Sequence, residues 1–258
     1  MRKDRRNFLK KLGVASLFGI GSAGALDQYF KKTVYAELFK EDGLKENTTR
    51  WGMVIDMTKC EEGCTACIDA CHFQHNVPEI SGKKEEVKWI WKEAYKNAFP
   101  SKSHPFTKEE TQKDPVLTLC NHCKNPPCVR VCPTKATFKR EDGIVMMDFH
   151  RCIGCRFCMA GCPYGSRSFN FKDPRPFIKK INPDFPTREK GVVEKCNFCA
   201  ERLAKGQAPA CQSACNNRSI VFGNLGDPNS EIRRVLMTQN TLQRKTELGT
   251  DPSVFYIF

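Results

Sequence analysis

The sequence lacks several features that mark common classes of protein. Beyond its N-terminal segment, it has no apolar run approaching the roughly 20 residues of a membrane-spanning helix, so the rest of the chain is expected to be soluble and to meet a membrane only through partners. It has no C-x-x-C-H motif, so covalent haem is not expected. Histidine is scarce and no nucleophile–base arrangement occurs, so we expect neither enzymatic activity nor a direct small-molecule substrate. The five histidines are His72, His75, His104, His122 and His150.

Apolar residues are also few, at 40% of the 258 residues, which is slightly below the usual share in globular domains. A core built by apolar burial alone would therefore be thin. Cysteine, by contrast, is abundant, with 16 residues. Cysteine at this level needs a chemical reason, namely disulfides, zinc or iron–sulfur clusters. Metal clusters could also take the place of the missing core.

The formal charge of +13 is not by itself a sign of nucleic-acid binding. Residues 1–25 carry +5 of it and the remaining chain carries +8. Four oxidised cubane clusters, each a 2+ core on four thiolates, would add about −8 and leave the loaded protein near neutrality. We therefore expect no nucleic-acid partner.

Residues 1–25 have the composition of an export signal. The start is basic and contains the pair Arg5-Arg6, a mildly apolar run follows, and Ala23-Gly24-Ala25 is a small-x-small cleavage pattern. The arginine pair in this context resembles a twin-arginine signal, whose pathway exports proteins that are already folded. An ordinary secretory signal or an uncleaved anchor is the alternative. We expect the protein at the periplasmic, or extracytoplasmic, face of the cytoplasmic membrane.

The cysteines fall into four groups of four, which form an uneven internal repeat. The second and third groups lie close together in the sequence, and the first and fourth stand apart from them. The groups are Cys60, Cys64, Cys67 and Cys71; Cys120, Cys123, Cys128 and Cys132; Cys152, Cys155, Cys158 and Cys162; and Cys196, Cys199, Cys211 and Cys215.

The third group has the spacing C-x2-C-x2-C-x3-C-P, which is the signature of bacterial two-cluster ferredoxins. Three cysteines on one tight loop reach three irons of a cubane. The fourth lies beyond a turn, is expected to begin a helix, and reaches the other cluster of the pair. The second group, which ends in Cys132-Pro133, supplies the partner run. The first and fourth groups depart from this spacing and lack the proline.

Three alternatives compete with the cluster interpretation. Disulfides occur in exported proteins, but C-x2-C-x2-C packs three sulfurs on one loop, which is poor geometry for three bridges. Zinc favours paired C-x2-C knuckles, but groups that end in x3-C-P do not have zinc spacing. The third alternative is that one group has lost its function or holds a three-iron cluster.

Short strands and helices are expected around the cysteine loops. Strands are predicted at 53–57, 116–119 and 220–225, a hairpin with its turn at Asp142-Gly143, and helices at 68–75 and from Asp227-Pro228 onward. Ile232, Val235 and Leu236 give the last helix an apolar face for core packing. The charged segment 82–115 contains Trp89, Trp91 and Tyr95, and is either a docking surface or a solvated insertion with an apolar anchor.

Residues 51–258 resemble the four-cluster ferredoxin-like subunits of molybdopterin oxidoreductases and related respiratory complexes. The resemblance rests on the four cysteine groups and on segments such as Trp51–Asp56, Phe149–Cys155 and Gly191–Cys199. Within that family, the segment Val87–Trp91 and the signal are most similar to the DsrO or HmeA type, which is the exported iron–sulfur subunit of the DsrMKJOP complexes of sulfate reducers.

This resemblance implies four [4Fe-4S] clusters with interleaved ligands. The implied sets are Cys60, Cys64, Cys67 and Cys215; Cys196, Cys199, Cys211 and Cys71; Cys120, Cys123, Cys128 and Cys162; and Cys152, Cys155, Cys158 and Cys132. It also implies an NrfD-like integral membrane subunit that handles quinone, a multihaem cytochrome c and other DsrMKJOP-type subunits. The alternative within the family is another respiratory oxidoreductase of the polysulfide, nitrite or molybdopterin type.

We therefore predict an α+β fold with two ferredoxin-like two-cluster modules, loop insertions, short strands and short helices. The first module is discontinuous and comprises 51–75 and 192–225, and the second comprises 116–171. Insertions are expected at 76–115 and 172–191, with a C-terminal helix and tail at 226–258. The expected function is electron transfer, without a catalytic site of its own.

Overall fold

The computed structural model describes residues 49–258 apart from 83 and 105, so the predicted export signal at 1–25 lies outside the described residues. Strands and helices are short, and the loops between them carry the cysteines. The strands are β1 Trp51–Asp56, β2 Ile90–Ala94, β3 Pro115–Leu119, β4 Thr137–Lys139, β5 Val145–Met147, β6 Ser168–Phe169, β7 Val193–Glu194, β8 Ile220–Asn224 and β9 Val254–Ile257. The helices are α1 Ala66–Gln74, α2 Tyr95–Ala98, α3 Glu109–Lys113, α4 Pro127–Arg130, α5 Phe157–Ala160, α6 Ala200–Leu203, α7 Ala210–Ser213 and α8 Glu231–Thr238.

Strand β1 lies in the middle of a three-stranded sheet. It pairs antiparallel with β8 and parallel with β9. Side chains alternate across a strand. Here Met53 and Ile55 face the main core, which contains cysteines, while Val54 faces a separate group of apolar side chains that includes Ile232 of α8. All three β1 side chains are at most 1% exposed, because both faces of the sheet are covered. Strand β9 was absent from the sequence prediction, which treated this region as a tail.

The segment 82–115 matches the second interpretation offered for it, a solvated insertion with an apolar anchor: its anchor residues Trp89 and Trp91 are buried, whereas residues 106–115 are mostly exposed. Strand β2 pairs antiparallel with β3, and the indole rings of Trp89 and Trp91 are buried, at 1% and 7% exposed. The indole nitrogen of Trp89 donates to Glu194 at 2.7 Å. The tryptophans therefore hold the insertion to the core and do not form an exposed docking surface.

The other predicted elements are confirmed with shifted bounds. The strands that lead into Cys60 and Cys120, the strand at 220–224 and the hairpin β4–β5 are all present, and Gly143 in its turn has φ +84°. Helix α8 begins three residues later than predicted. The side chain of Asp227 accepts from the Asn229 amide in a turn, and Ser230 caps the helix by accepting from the Arg233 amide.

The predicted apolar face of α8 packs against the sheet, as expected for core packing. Among the described residues, no helix has both the length and the apolar character needed to cross a bilayer.

Candidate metal centres

Three cavities are each lined by four cysteine thiols, and every described cysteine is free of a disulfide. In each case three thiols come from one sequence group and the fourth from another group. We name the three sets by their cysteines: site A is Cys60, Cys64, Cys67 and Cys215; site C is Cys120, Cys123, Cys128 and Cys162; and site D is Cys132, Cys152, Cys155 and Cys158. The grouping matches three of the ligand sets that the family resemblance implies.

The remaining four cysteines, Cys71, Cys196, Cys199 and Cys211, form a fourth set that we name site B. All four are buried. Burial raises the pKa of the Cys71 thiol well above its usual range, and the thiols of Cys196, Cys211 and Cys199 raise it further in that order. The four thiols are therefore close enough to repel one another as thiolates. The structure thus brings all sixteen predicted residues together in four sets.

The loops between the first two cysteines of the four groups share one backbone feature. The residue just before the second cysteine has a positive φ in all four groups: Gly63 at +76°, His122 at +42°, Gly154 at +69° and Phe198 at +55°. Glycine adopts this conformation without strain, whereas other residues need support from their surroundings. His122 and Phe198 have that support, because their rings stack at 3.7 Å between centroids. The turn points successive cysteines toward one centre.

The fourth cysteines of the second and third groups do not begin helices, which corrects the sequence prediction. Helix α4 contains Cys128 and helix α5 contains Cys158, which are the third cysteines of their groups. Each helix ends before the fourth cysteine, and Cys132-Pro133 stands in a turn where the Lys135 amide donates to the Cys132 carbonyl. The proline following each fourth cysteine fixes φ in that turn.

Backbone amides point at several cysteine sulfurs. The amides of Thr137, Val193, Phe198, Ala210 and Ser219 lie 3.3–3.5 Å from Sγ of Cys132, Cys152, Cys196, Cys199 and Cys215 in that order. Such bonds stabilise a thiolate and so suit metal-bound sulfur. Burial alone would raise the pKa of Cys132, but the bonds from Thr137 and Thr134 lower it overall.

Most of the other thiols lie in surroundings that disfavour a free thiolate. Burial, followed by the nearby thiols of Cys60 and Cys215, raises the pKa of Cys67 to about 11. Burial, followed by Cys120, raises the pKa of Cys123 to about 12. Groups of this kind become thiolates when a metal displaces the proton. Four free thiols per set, with amides aimed at the sulfurs, therefore fit iron–sulfur clusters.

The four sites form a row in the order A, B, C, D, because Cys67 and Cys71 share helix α1, Cys71 and Cys196 pack in one apolar cluster with Cys120, and Cys128 packs in another with Cys158. Burial raises the pKa of Cys71 in site B, and Cys67 of site A adds to the effect. The pKa of Cys196 in site B is raised by burial and next by Cys120 of site C. Burial likewise raises the pKa of Cys158 in site D, with Cys128 of site C adding to it. Each site is therefore an electrostatic neighbour of the next.

The two ends of the row reach the surface, whereas the middle is enclosed. Cys64 in site A and Cys155 in site D are exposed, while the cysteines of site B are buried and Cys162 is the only one in site C that is not. The surroundings of the two ends differ. Site A is bordered by Glu61, Asn216 and Asn217, and site D by the exposed apolar side chain of Ile153.

Two histidines beside the cysteines, His75 and His122, are buried, whereas His72 is half-buried. Nε2 of His75 lies 2.9 Å from Oε1 of Glu201, and Nδ1 lies 3.6 Å from the sulfur of Cys71. Burial would lower the pKa of His75, but hydrogen bonds with Cys199 and Glu201 raise it to about 9. His75 also stacks on Trp89 at 4.4 Å.

Sequence reasoning missed two buried cations beside the sites, Arg167 and Lys195, which are 4% and 2% exposed. Arg167 lines the site C cavity, and the ammonium of Lys195 donates to the carbonyl of Cys196 at 2.6 Å. The position of Lys195 directly before a cysteine was visible in the sequence. Its burial was not.

Comparison with known proteins supports the cluster interpretation. The family model of the 4Fe-4S dicluster domain matches residues 114–175 and 181–225, which cover the second, third and fourth cysteine groups. The chain is 42% identical to the Hdr-like menaquinol oxidoreductase iron-sulfur subunit 1 of Archaeoglobus fulgidus, over 98% of this chain and 97% of that protein.

Two further relatives have related names. The menaquinone reductase iron-sulfur cluster-binding subunit of Nitratidesulfovibrio vulgaris is 36% identical over 83% of this chain and 90% of its own length. The B subunit of the polysulfide reductase of Wolinella succinogenes is 36% identical over 81% of this chain and 94% of its own length. The chain therefore belongs to the family of 4Fe-4S iron–sulfur subunits of respiratory oxidoreductases, and it is an electron-transfer subunit without a catalytic role of its own.

Proposed function

We propose that the protein relays electrons through four [4Fe-4S] clusters held at sites A, B, C and D. The observation that carries this proposal is the row of four cysteine sets, enclosed in the middle and exposed at both ends. Each cluster accepts and passes on single electrons. The chain itself supplies the thiolate ligands, the amide hydrogen bonds to sulfur and the exclusion of water from sites B and C.

The partners proposed for the two ends are an NrfD-like quinone-interacting membrane subunit and a multihaem cytochrome c, at the extracytoplasmic face of the membrane. The end at site D suits the membrane subunit, because Ile153 and Phe157 expose 67% and 60% of their surface beside it. Exposed apolar side chains of this kind mark protein contacts. The polar end at site A, with Glu61 nearby, suits the cytochrome.

The relatives support the link to quinone, since two of them are named for menaquinol oxidation or menaquinone reduction. We propose further that the protein is of the DsrO or HmeA type and serves a complex linked to sulfite or sulfate reduction. A second candidate is the iron–sulfur subunit of another respiratory oxidoreductase, which the likeness to the polysulfide reductase B subunit favours.

Anaerobic purification of the native complex, followed by identification of its subunits, tests this function. We expect an integral membrane subunit and a c-type cytochrome to co-purify. A molybdopterin-containing catalytic subunit in place of the cytochrome would favour the second candidate. Recovery of the chain without any membrane subunit would contradict both.

The proposed orientation of the row is tested by substitution at the exposed apolar end. Phe157→Glu and Ile153→Glu should prevent both co-purification with the membrane subunit and reduction of the clusters by a menaquinol analogue. Met237→Glu, at a side chain 76% exposed on helix α8, is the matched control and should change neither. Normal assembly of the Phe157→Glu and Ile153→Glu variants would show that site D is not the membrane end.

A further inference from the structure

A buried arginine lies between sites C and D without an acidic partner. The Arg167 side chain is 4% exposed, and Nη1 donates to the hydroxyl of Thr137 at 3.0 Å and contacts the sulfur of Met147 at 3.7 Å. Its Nη2 has no hydrogen-bond partner among the described residues. The guanidinium is permanently charged, and a buried charge is costly unless an opposite charge compensates it. Something at this place must therefore be negative.

The chain pairs a buried arginine with a carboxylate elsewhere. Nη2 of Arg188 lies 2.6 Å from Oε2 of Glu194, and both side chains are fully buried. Arg167 makes no such ion pair with the described carboxylates. Arg167 instead lines the cavity of site C, and it contacts Met147, which lines the cavity of site D. The guanidinium thus lies between two sets of cysteines.

A lysine occupies the matching place between sites B and C. The Lys195 side chain is 2% exposed, and its ammonium donates to the carbonyls of Val145, which lines site C, and of Cys196, which belongs to site B. It also makes no ion pair with a carboxylate in the part of the chain that is described. Site C therefore borders two buried cations, sites B and D border one each, and the surroundings of site A that are described contain none.

We propose that Arg167 and Lys195 are fixed counter-charges of the clusters, which compensate the negative charge of neighbouring sites and raise their reduction potentials. This inference rests on the proposed four-cluster function. Adding an electron makes a cluster more negative, and a nearby buried cation stabilises that state with little screening by salt. The effect is local. Loss of Arg167 acts on sites C and D, loss of Lys195 acts on sites B and C, and neither acts on site A.

The test is a redox titration followed by electron paramagnetic resonance on full-length protein purified anaerobically with its clusters. The signals are first assigned with single-cysteine variants of each site, and iron and sulfide are counted for every variant. Arg167→Met removes the charge and Arg167→Lys keeps it, while Lys195→Met probes the other junction. Lys205→Met is the matched control, because Lys205 follows helix α6 in the loop of site B but is exposed.

For Arg167→Met, we expect the reduced-to-oxidised ratio of sites C and D at fixed potential to fall about tenfold, which is about 59 mV for a one-electron couple. Arg167→Lys should keep most of the wild-type ratio at sites C and D, because it retains the positive charge. Lys195→Met should lower the reduced-to-oxidised ratio of sites B and C, and Lys205→Met should leave the ratio of every site unchanged. If Arg167→Met fails to retain clusters C and D while Arg167→Lys retains them, the counter-charge role is supported.

Three outcomes would overturn the inference. One is a full cluster content with unchanged potentials in both Arg167→Met and Lys195→Met. Another is an equal effect of Arg167→Met and Arg167→Lys, which would show that the fork of the guanidinium matters and its charge does not. The third is an equal shift at all four sites. Wild-type protein without iron would instead contradict the proposed function and is recognised before any titration.

Discussion

Cys132 and Cys162 each line the cavity formed by the other's sequence group. The exchange follows from the turn after helices α4 and α5, which directs the fourth cysteine away from its own loop. If clusters occupy sites C and D, Cys132 and Cys162 each bind the cluster of the other group and not the cluster held by the cysteines nearest to them in the sequence. Substitution of these two cysteines therefore separates an interleaved arrangement from four independent loops.

Cys132→Ser should damage the cluster at site D, held by Cys152, Cys155 and Cys158, more than the cluster at site C. Cys162→Ser should do the reverse, because each serine replaces a thiolate ligand of the other group's cluster. Electron paramagnetic resonance during a redox titration measures both. If Cys132→Ser altered only the signal of site C, the interleaved assignment would be wrong.

Gly154 lies in the loop between Cys152 and Cys155, at a position where there is no space for a side chain. Its φ is +69°, and an added Cβ would stand 2.4 Å from the carbonyl oxygen of Gly191. Gly154→Ala should therefore reduce the iron retained at site D and lower the unfolding temperature. Gly206→Ala is the control, since Gly206 has φ +70° but open space around it, so that it meets only the backbone strain of about 1–2 kcal/mol. Equal behaviour of the two variants would contradict this reading of the loop.

At the scale of single residues, the spacing of the cysteines in the sequence predicted all sixteen as ligands, and twelve of them line the cavities of sites A, C and D. It did not identify Arg167 or the positive φ of His122 and Phe198. Those depend on burial and on contacts between distant loops, such as the stacking of the two rings. The spacing of residues within one segment does not indicate burial or contacts between distant loops.

Among the secondary-structure elements, helix α8 covers the face of the β1–β8–β9 sheet opposite the cysteines. Ile232 is 0% exposed and packs with Val54 and Leu225, and an added Cβ at Gly223 would meet its Cγ2 at 2.9 Å. The helix is thus a core element that lies away from the clusters. Its role should be visible in stability and not in redox properties.

Ile232→Ala should destabilise the protein by about 2–5 kcal/mol, the usual loss when a large buried aliphatic side chain is truncated. The cluster potentials should stay the same. Met237→Ala, on the same helix but 76% exposed, should change stability by no more than about 0.5 kcal/mol. Thermal unfolding and a redox titration measure the two effects, and a shifted potential in Ile232→Ala would show that α8 influences the sites.

Local patterns predicted most elements but not all of their partners. Alternation gave β1, short strand signals beside the cysteine groups gave β3 and β8, and Ile232, Val235 and Leu236 gave the face of α8. The polar residues around Trp89 concealed strand β2, which begins at the next residue. The indole of Trp89 can be buried because its nitrogen donates to Glu194, which is more than a hundred residues away. Strand β9 pairs with β1 at the opposite end of the described residues, so the pairing could not be predicted from a local sequence pattern.

For the whole molecule, the location outside the cytoplasm is a prediction that depends on residues 1–25. Changing Arg5 and Arg6 together to lysine should leave the protein in the cytoplasm with its clusters inserted, since the export pathway reads the arginine pair. Cell fractionation with detection of the full chain measures this. Normal export of the double variant would indicate an ordinary signal or an anchor.

The charge of the molecule also reflects its cofactors. A chain with a formal charge of +13 becomes far less positive when each site holds an anionic cluster. Arg167 between sites C and D, and Lys195 between sites B and C, would compensate the negative charge of the clusters in the same way at short range. The composition could be read from the sequence, whereas the placement of each charge required the fold.

Iron and acid-labile sulfide content of the anaerobically purified protein tests the four-cluster claim most directly. We predict roughly sixteen irons and sixteen sulfides per chain, four of each per site. A reproducible value near twelve would show that one of the four sets is not a four-iron site. Stoichiometric zinc in a protein without visible absorbance would contradict the electron-transfer account itself.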